Sequence, residues 1–75
     1  MTESDKKSLY IIGKNISRLI RTNNLSQLGI CAEIKMEKSN LSSIENGRQN
    51  ATTLTLKKIA EAIGVEVKEF FEIIL

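Results

Sequence analysis

At 75 residues, 41% of them apolar, with a net charge of +2, the chain has room for one domain around a small, well-packed core. No apolar run approaches the ~20 residues of a membrane span, and the polar opening Met-Thr-Glu-Ser-Asp-Lys-Lys-Ser leads into no secretory apolar stretch. A single cysteine, Cys31, and no histidine exclude an internal disulfide and a zinc-finger spacing, and with no paired carboxylates on a pocket they argue against an enzyme. The expectation is a cytoplasmic protein with no metal, no cofactor and no small-molecule ligand.

The charge is unevenly spread. Residues 6–58 carry ten of the eleven Lys and Arg against three acids, whereas residues 59–75 carry one lysine against four glutamates. Such a gradient gives one pole suited to a polyanion and another that faces away from it. Charge that merely solvates a small domain is an equal reading at this level.

Apolar residues recur at i, i+3 and i+4 spacing without β-alternation, which predicts an all-α fold of five helices. Residues 1–8 are expected to form a flexible tail, and 9–75 the domain. A first helix is predicted over Leu9–Thr22, capped by Ser8, with Leu9, Ile12, Ile16, Leu19 and Ile20 as its apolar stripe. Asn23-Asn24 ends it, because asparagine tolerates the left-handed backbone of a helix stop. A second helix is predicted over Gln27–Ile34, capped by Ser26, with Ile30, Cys31 and Ile34 inward. After a tight turn at Lys35-Met36, a third runs over Lys38–Asn46 with Leu41 and Ile44 inward, and Asn46 serves as its stop. Arg48-Gln49-Asn50-Ala51 is a polar loop. A fourth helix spans Thr53–Ile63, with Leu56, Ile59, Ala60 and Ile63 inward and Gly64 as C-cap. A fifth spans Val67–Ile74, where Val65, Val67, Phe70 and Phe71 supply an aromatic core.

The segment Leu25–Gly47 meets the steric demands of two helices crossing at a tight turn. Gln27 is polar at the start of the first of them, where a phosphate would pass. Four residues on, Cys31 is small where the two helices approach. Ile30, Ile34, Met36, Leu41 and Ile44 fall where the crossing must be packed. The outward side of the second helix is polar: Ser39, Ser42, Ser43 and Asn46, flanked by Lys38 and Asn40. Taken alone, those serines are no more than a solvated face; the apolar positions around them raise them to candidates.

The run Leu25-Ser26-Gln27, followed at the right interval by Leu41-Ser42-Ser43-Ile44-Glu45-Asn46-Gly47-Arg48-Gln49-Asn50, resembles the Cro/C1-type (Xre) helix-turn-helix family. The stretch Leu56-Lys57-Lys58-Ile59-Ala60-Glu61-Ala62-Ile63-Gly64-Val65, with Phe70-Phe71 beyond it, is similar to that family as well. The resemblance covers Ile12 to Phe71. It implies a compact five-helix, lambda-repressor-like domain whose third helix reads double-stranded DNA in the major groove. By position, Gln27 would touch a phosphate and brace the reading helix. Lys38, Ser39, Asn40 and Ser43 would face base edges, Ser42 would lie near phosphate, and Arg48, Gln49 and Asn50 would grip the flanking backbone. Lysine donates to guanine O6/N7 and asparagine pairs bidentately with adenine, so the residue types suit these roles.

The chain departs from the family pattern at several places. Lys35 stands where the turn often has glycine. Glu37 replaces a Ser or Thr cap, and its charge would repel phosphate. Leu28 and Gly29 replace an acidic pair, which weakens the second helix and exposes Leu28. Ile20 occupies the position of an arginine that often pairs with the acid of Ile-Glu-Asn-Gly, so Glu45 needs another partner or water. Ala51 stands where proline is common.

The function implied is a transcriptional regulator of the phage, mobile-element or restriction-modification-controller kind, acting as a homodimer on pseudo-palindromic operators. Its dimer seam is expected at the apolar end Ile73, Ile74 and Leu75. An antitoxin or protein-interaction module built on the same fold is the alternative.

Overall fold

The computed structural model describes residues 1–73 and contains four α-helices and one 3-10 helix in that stretch: α1 (Glu3–Thr22), α2 (Gln27–Ile34), α3 (Lys38–Glu45), α4 (Thr53–Ile63) and the 3-10 helix Val67–Phe71. The all-helical reading holds, with four α-helices in place of five. The bounds of α2 and α4 coincide with the sequence expectation; α2 begins at its expected cap, and α4 is capped by Thr52. Ser26 accepts from the Gly29 N–H at 3.0 Å and Thr52 from the Thr55 N–H at 3.2 Å.

Helix α1 starts at Glu3, well before the expected Leu9. The cap is Thr2 rather than Ser8: its hydroxyl accepts from the Asp5 N–H at 3.0 Å, and the Asp5 carboxylate accepts from the Thr2 N–H in return. This reciprocal pairing satisfies two free amides at the start of the helix, and the acids of the first turn suit its dipole. Asn23 and Asn24 end α1 as expected, with Asn24 at φ 58° and the Asn23 side chain donating to the Leu19 carbonyl at 2.7 Å.

The core is one cluster drawn from every element. Ile16, Leu19 and Ile20 of α1 meet Ile30 and Cys31 of α2, Leu41 and Ile44 of α3, Leu56, Ile59, Ala60 and Ile63 of α4, and Phe70. Ile34 and Met36 pack at its margin. Burial pushes the Cys31 thiol up from its ordinary pKa, with the charge of Glu45 adding to the shift and that of Lys38 opposing it. The cysteine is therefore a small, neutral core residue.

At the far end, the expected fifth α-helix is replaced by the short 3-10 helix, and Phe70 and Phe71 part company. Phe70 is fully buried, whereas Phe71 is 53% exposed. With three residues per turn, neighbours on a 3-10 helix diverge by about 120°, so both rings cannot enter the same core. Asn15 explains why the helix stops. It is buried on the apolar stripe of α1, and its amide donates to the carbonyls of Phe70 at 2.8 Å and Glu72 at 2.7 Å. A continuing α-helix would have used the Phe70 carbonyl internally. The chain instead leaves the 3-10 helix extended at Glu72, with Ile73 exposed. Ile74 and Leu75, the remainder of the expected apolar end, lie outside the described residues.

Candidate nucleic-acid interface

The two helices of the motif are joined by Lys35 in the left-handed conformation, φ 57° and ψ 48°. Its N–H closes on the Cys31 carbonyl, as does that of Met36 at 3.0 Å. A lysine there carries a cost of about 1 kcal/mol that glycine would avoid. The Met36 contact with the core and the short Cys31 side chain at the crossing hold α2 and α3 together.

Helix α3 is divided along its length. Leu41 and Ile44 are buried, while Lys38, Ser39 and Asn40 are exposed and Ser42 and Ser43 are half-buried at the edge of the core. Among the described residues, no hydrogen bond or ion pair inside the protein engages the side chains of these five polar residues. Glu37 makes no side-chain cap at the start of α3, so the amides of the first turn also face outward without one. The end of α3 is closed by Asn46, whose side chain donates to the Ser42 carbonyl at 2.8 Å, and by Gly47 at φ 71°. Arg48, Gln49 and Asn50 follow on an exposed loop, and Asn50 borders a groove shared with Leu9 and Ile12 of α1.

Gln27, the first residue of α2, reaches across to α3. It meets the C-terminal end: its Nε2 donates to Glu45 Oε2 at 2.6 Å, and the Ser17 hydroxyl donates to Glu45 Oε1. Glu45 thus finds its partners in Ser17 and Gln27, answering the loss of an arginine at Ile20. Three helices meet at this carboxylate. The spacing of α1 and α3 is set by Gly13, where a methyl group would overlap the backbone carbonyls of Ile44 and Glu45. Neither Gly13 nor Ser17 is among the candidates that the sequence marks. A glycine in the interior of a twenty-residue helix, which costs helix stability, is the signal that would have found the first. The second has no local signal.

A family model described as helix-turn-helix matches residues 16–70. The chain belongs to the Cro/C1-type helix-turn-helix family of DNA-binding transcriptional regulators, a non-enzymatic family. It is 40% identical over 55 residues to an uncharacterized HTH-type transcriptional regulator, y4dJ, of Sinorhizobium fredii, a match covering 73% of this chain and 71% of that protein. It is 38% identical over 48 residues to the control protein C.MunI of a Mycoplasma species, covering 64% of this chain and 65% of that protein. Among solved structures, the restriction-modification controller protein C.AhdI from Aeromonas hydrophila superposes with a TM-score of 0.79 at 25% identity, over 84% of this chain and 96% of its own. A hypothetical transcription factor, NHTF, from Neisseria has the same fold, with a TM-score of 0.81 at 18% identity, over 91% of this chain and 78% of its own. Among the described residues, no helix is long and apolar enough to cross a membrane.

Proposed function

We propose that the chain is a sequence-specific regulator that binds operator DNA as a homodimer, with α3 in the major groove. The observation that carries this reading is the division of α3: a buried edge, Leu41 and Ile44, fixes the helix, and an unbonded polar edge is left to a partner. Lys38, Ser39, Asn40 and Ser43 are assigned to base edges. Gln27, Ser42, Arg48, Gln49 and Asn50 are assigned to the phosphate backbone. The serines are short enough to let the helix approach closely, and the exposed loop after α3 follows the backbone beside it.

The likeness to two controller proteins, C.MunI and C.AhdI, favours a regulator of the restriction-modification kind. Such a regulator acts in the cytoplasm, and its own concentration sets occupancy through coupled dimerisation and binding. One domain of this size reads too few bases to select a site, so two copies about one helical turn, ~34 Å, apart are required. Phe71 and Ile73, exposed at the acidic end, supply an apolar seam for the second copy.

Selection of bound duplexes from a random DNA pool, with the mass of the free protein measured by sedimentation, tests the proposal. A pseudo-palindromic consensus and a dimeric mass are expected. Enrichment of no sequence, or a monomer bound to an asymmetric site, would overturn it.

A further inference from the structure

We infer that Ser17 and Glu45 are positioning residues for DNA binding, acting through the side-chain amide of Gln27. The inference rests on the assignment of Gln27 to a phosphate contact. An ionised carboxylate only accepts hydrogen bonds, so the bond between Gln27 and Glu45 forces the amide to turn its NH2 end, not its carbonyl, toward α3. One N–H is thereby used. The other N–H and the carbonyl oxygen have no protein partner among the described residues, and their direction is set by the first bond. That second N–H is the donor available to a phosphate oxygen.

Ser17 holds the other end of the arrangement. Its hydroxyl occupies the second carboxylate oxygen, and neither ion pair among the described residues involves Glu45. The terminal torsion of a glutamate is broad, so a carboxylate held at one oxygen alone can swing. Removing the Ser17 hydroxyl frees that torsion, and the Gln27 amide loses its fixed direction with it. Gly13 and Ser17 are four residues apart on one face of α1. The glycine brings the α1 backbone onto the carbonyls of Ile44 and Glu45, at the depth where the serine reaches the carboxylate. The seating of α1 is thus transmitted to a group on α2 that faces DNA.

The test uses the full chain and the duplex it selects from a random pool. Ser17→Ala is expected to weaken binding about two- to ten-fold, the range of one neutral hydrogen bond. The dependence on salt should not change, because no charge is lost. Ser17→Thr, which keeps the hydroxyl, should restore binding. In a Gln27→Ala background, Ser17→Ala should have no further effect. In the free protein, Ser17→Ala and Glu45→Gln should both shift the NMR resonances of the Gln27 side-chain amide. Unmoved amide resonances, or an equal loss of affinity in both backgrounds, would overturn the relay. Unchanged binding by Gln27→Ala alongside shifted resonances would instead remove the phosphate contact, and with it the positioning role.

Discussion

Helices α2 and α3 are each eight residues long, yet they are built for different ends. The first is closed at both termini, by the Ser26 cap and the left-handed Lys35, and it buries Ile30 and Cys31 between α4 and α3. The second opens without a side-chain cap, carries Glu37 where one would sit, and keeps only Leu41 and Ile44 inward. A helix this short is marginal alone, so each draws its stability from packing. Helix α3 is anchored in the core by Leu41 and Ile44, and contacts from outside it add to this: the close approach of Gly13 and the bonds from Ser17 and Gln27 to Glu45. On the proposed function, the difference is a division of labour in which one helix is a strut and the other is held in place for presentation.

Substitutions act differently on the two helices. The largest effect is expected at Leu41→Ala, which opens a cavity in the fully buried anchor of α3 and should cost about 2–5 kcal/mol of unfolding free energy by urea denaturation. Gly13→Ala should follow, at about 1–3 kcal/mol, because the new methyl meets backbone carbonyls that cannot turn aside. Unlike the cavity variant, it should also weaken DNA binding in the folded fraction by tilting α3. Ser26→Ala removes the cap of the strut and should cost about 1 kcal/mol while leaving DNA affinity of the folded protein nearly intact. The smallest change is Glu37→Ser, which supplies the missing cap to α3 and should raise stability by about 0.5–1 kcal/mol. On the proposed docking it removes an acid beside the phosphates, so it should also tighten binding in a gel-shift titration at low salt. Loss of stability in this variant would mean that Glu37 already serves the helix in another way.

Much of this was legible in the sequence because it depends on local chemistry. Ser26 and Thr52 cap, Gly64 and Asn24 take left-handed backbone, and the apolar spacing of α4 marks its buried face, all within a few residues of chain. The sequence alone starts α1 too late because two caps compete there, and the Thr2–Asp5 pair offers two hydrogen bonds where Ser8 offers one. The 3-10 helix was read as α because what stops it, Asn15, is 55 residues away from Phe70 in the chain. A polar residue between Ile12, Ile16 and Leu19 on a core-facing stripe is the trace of it. The Ser17–Glu45–Gln27 arrangement was out of reach for the same reason: it exists only once α1 crosses α3, and no local spacing encodes that crossing. The outward polar residues of α3, those proposed to meet DNA, could be named because inward and outward positions follow from helical periodicity once the turn is located.

The outer face of α3 is proposed to read DNA and to add nothing to the fold. The double variant Lys38→Ala with Asn40→Ala separates the two roles when its urea unfolding is set beside its affinity for the selected duplex. The unfolding free energy should stay within about 0.5 kcal/mol of wild type while affinity falls by roughly 30-fold or more. A folded double variant that binds as wild type does refutes the assignment.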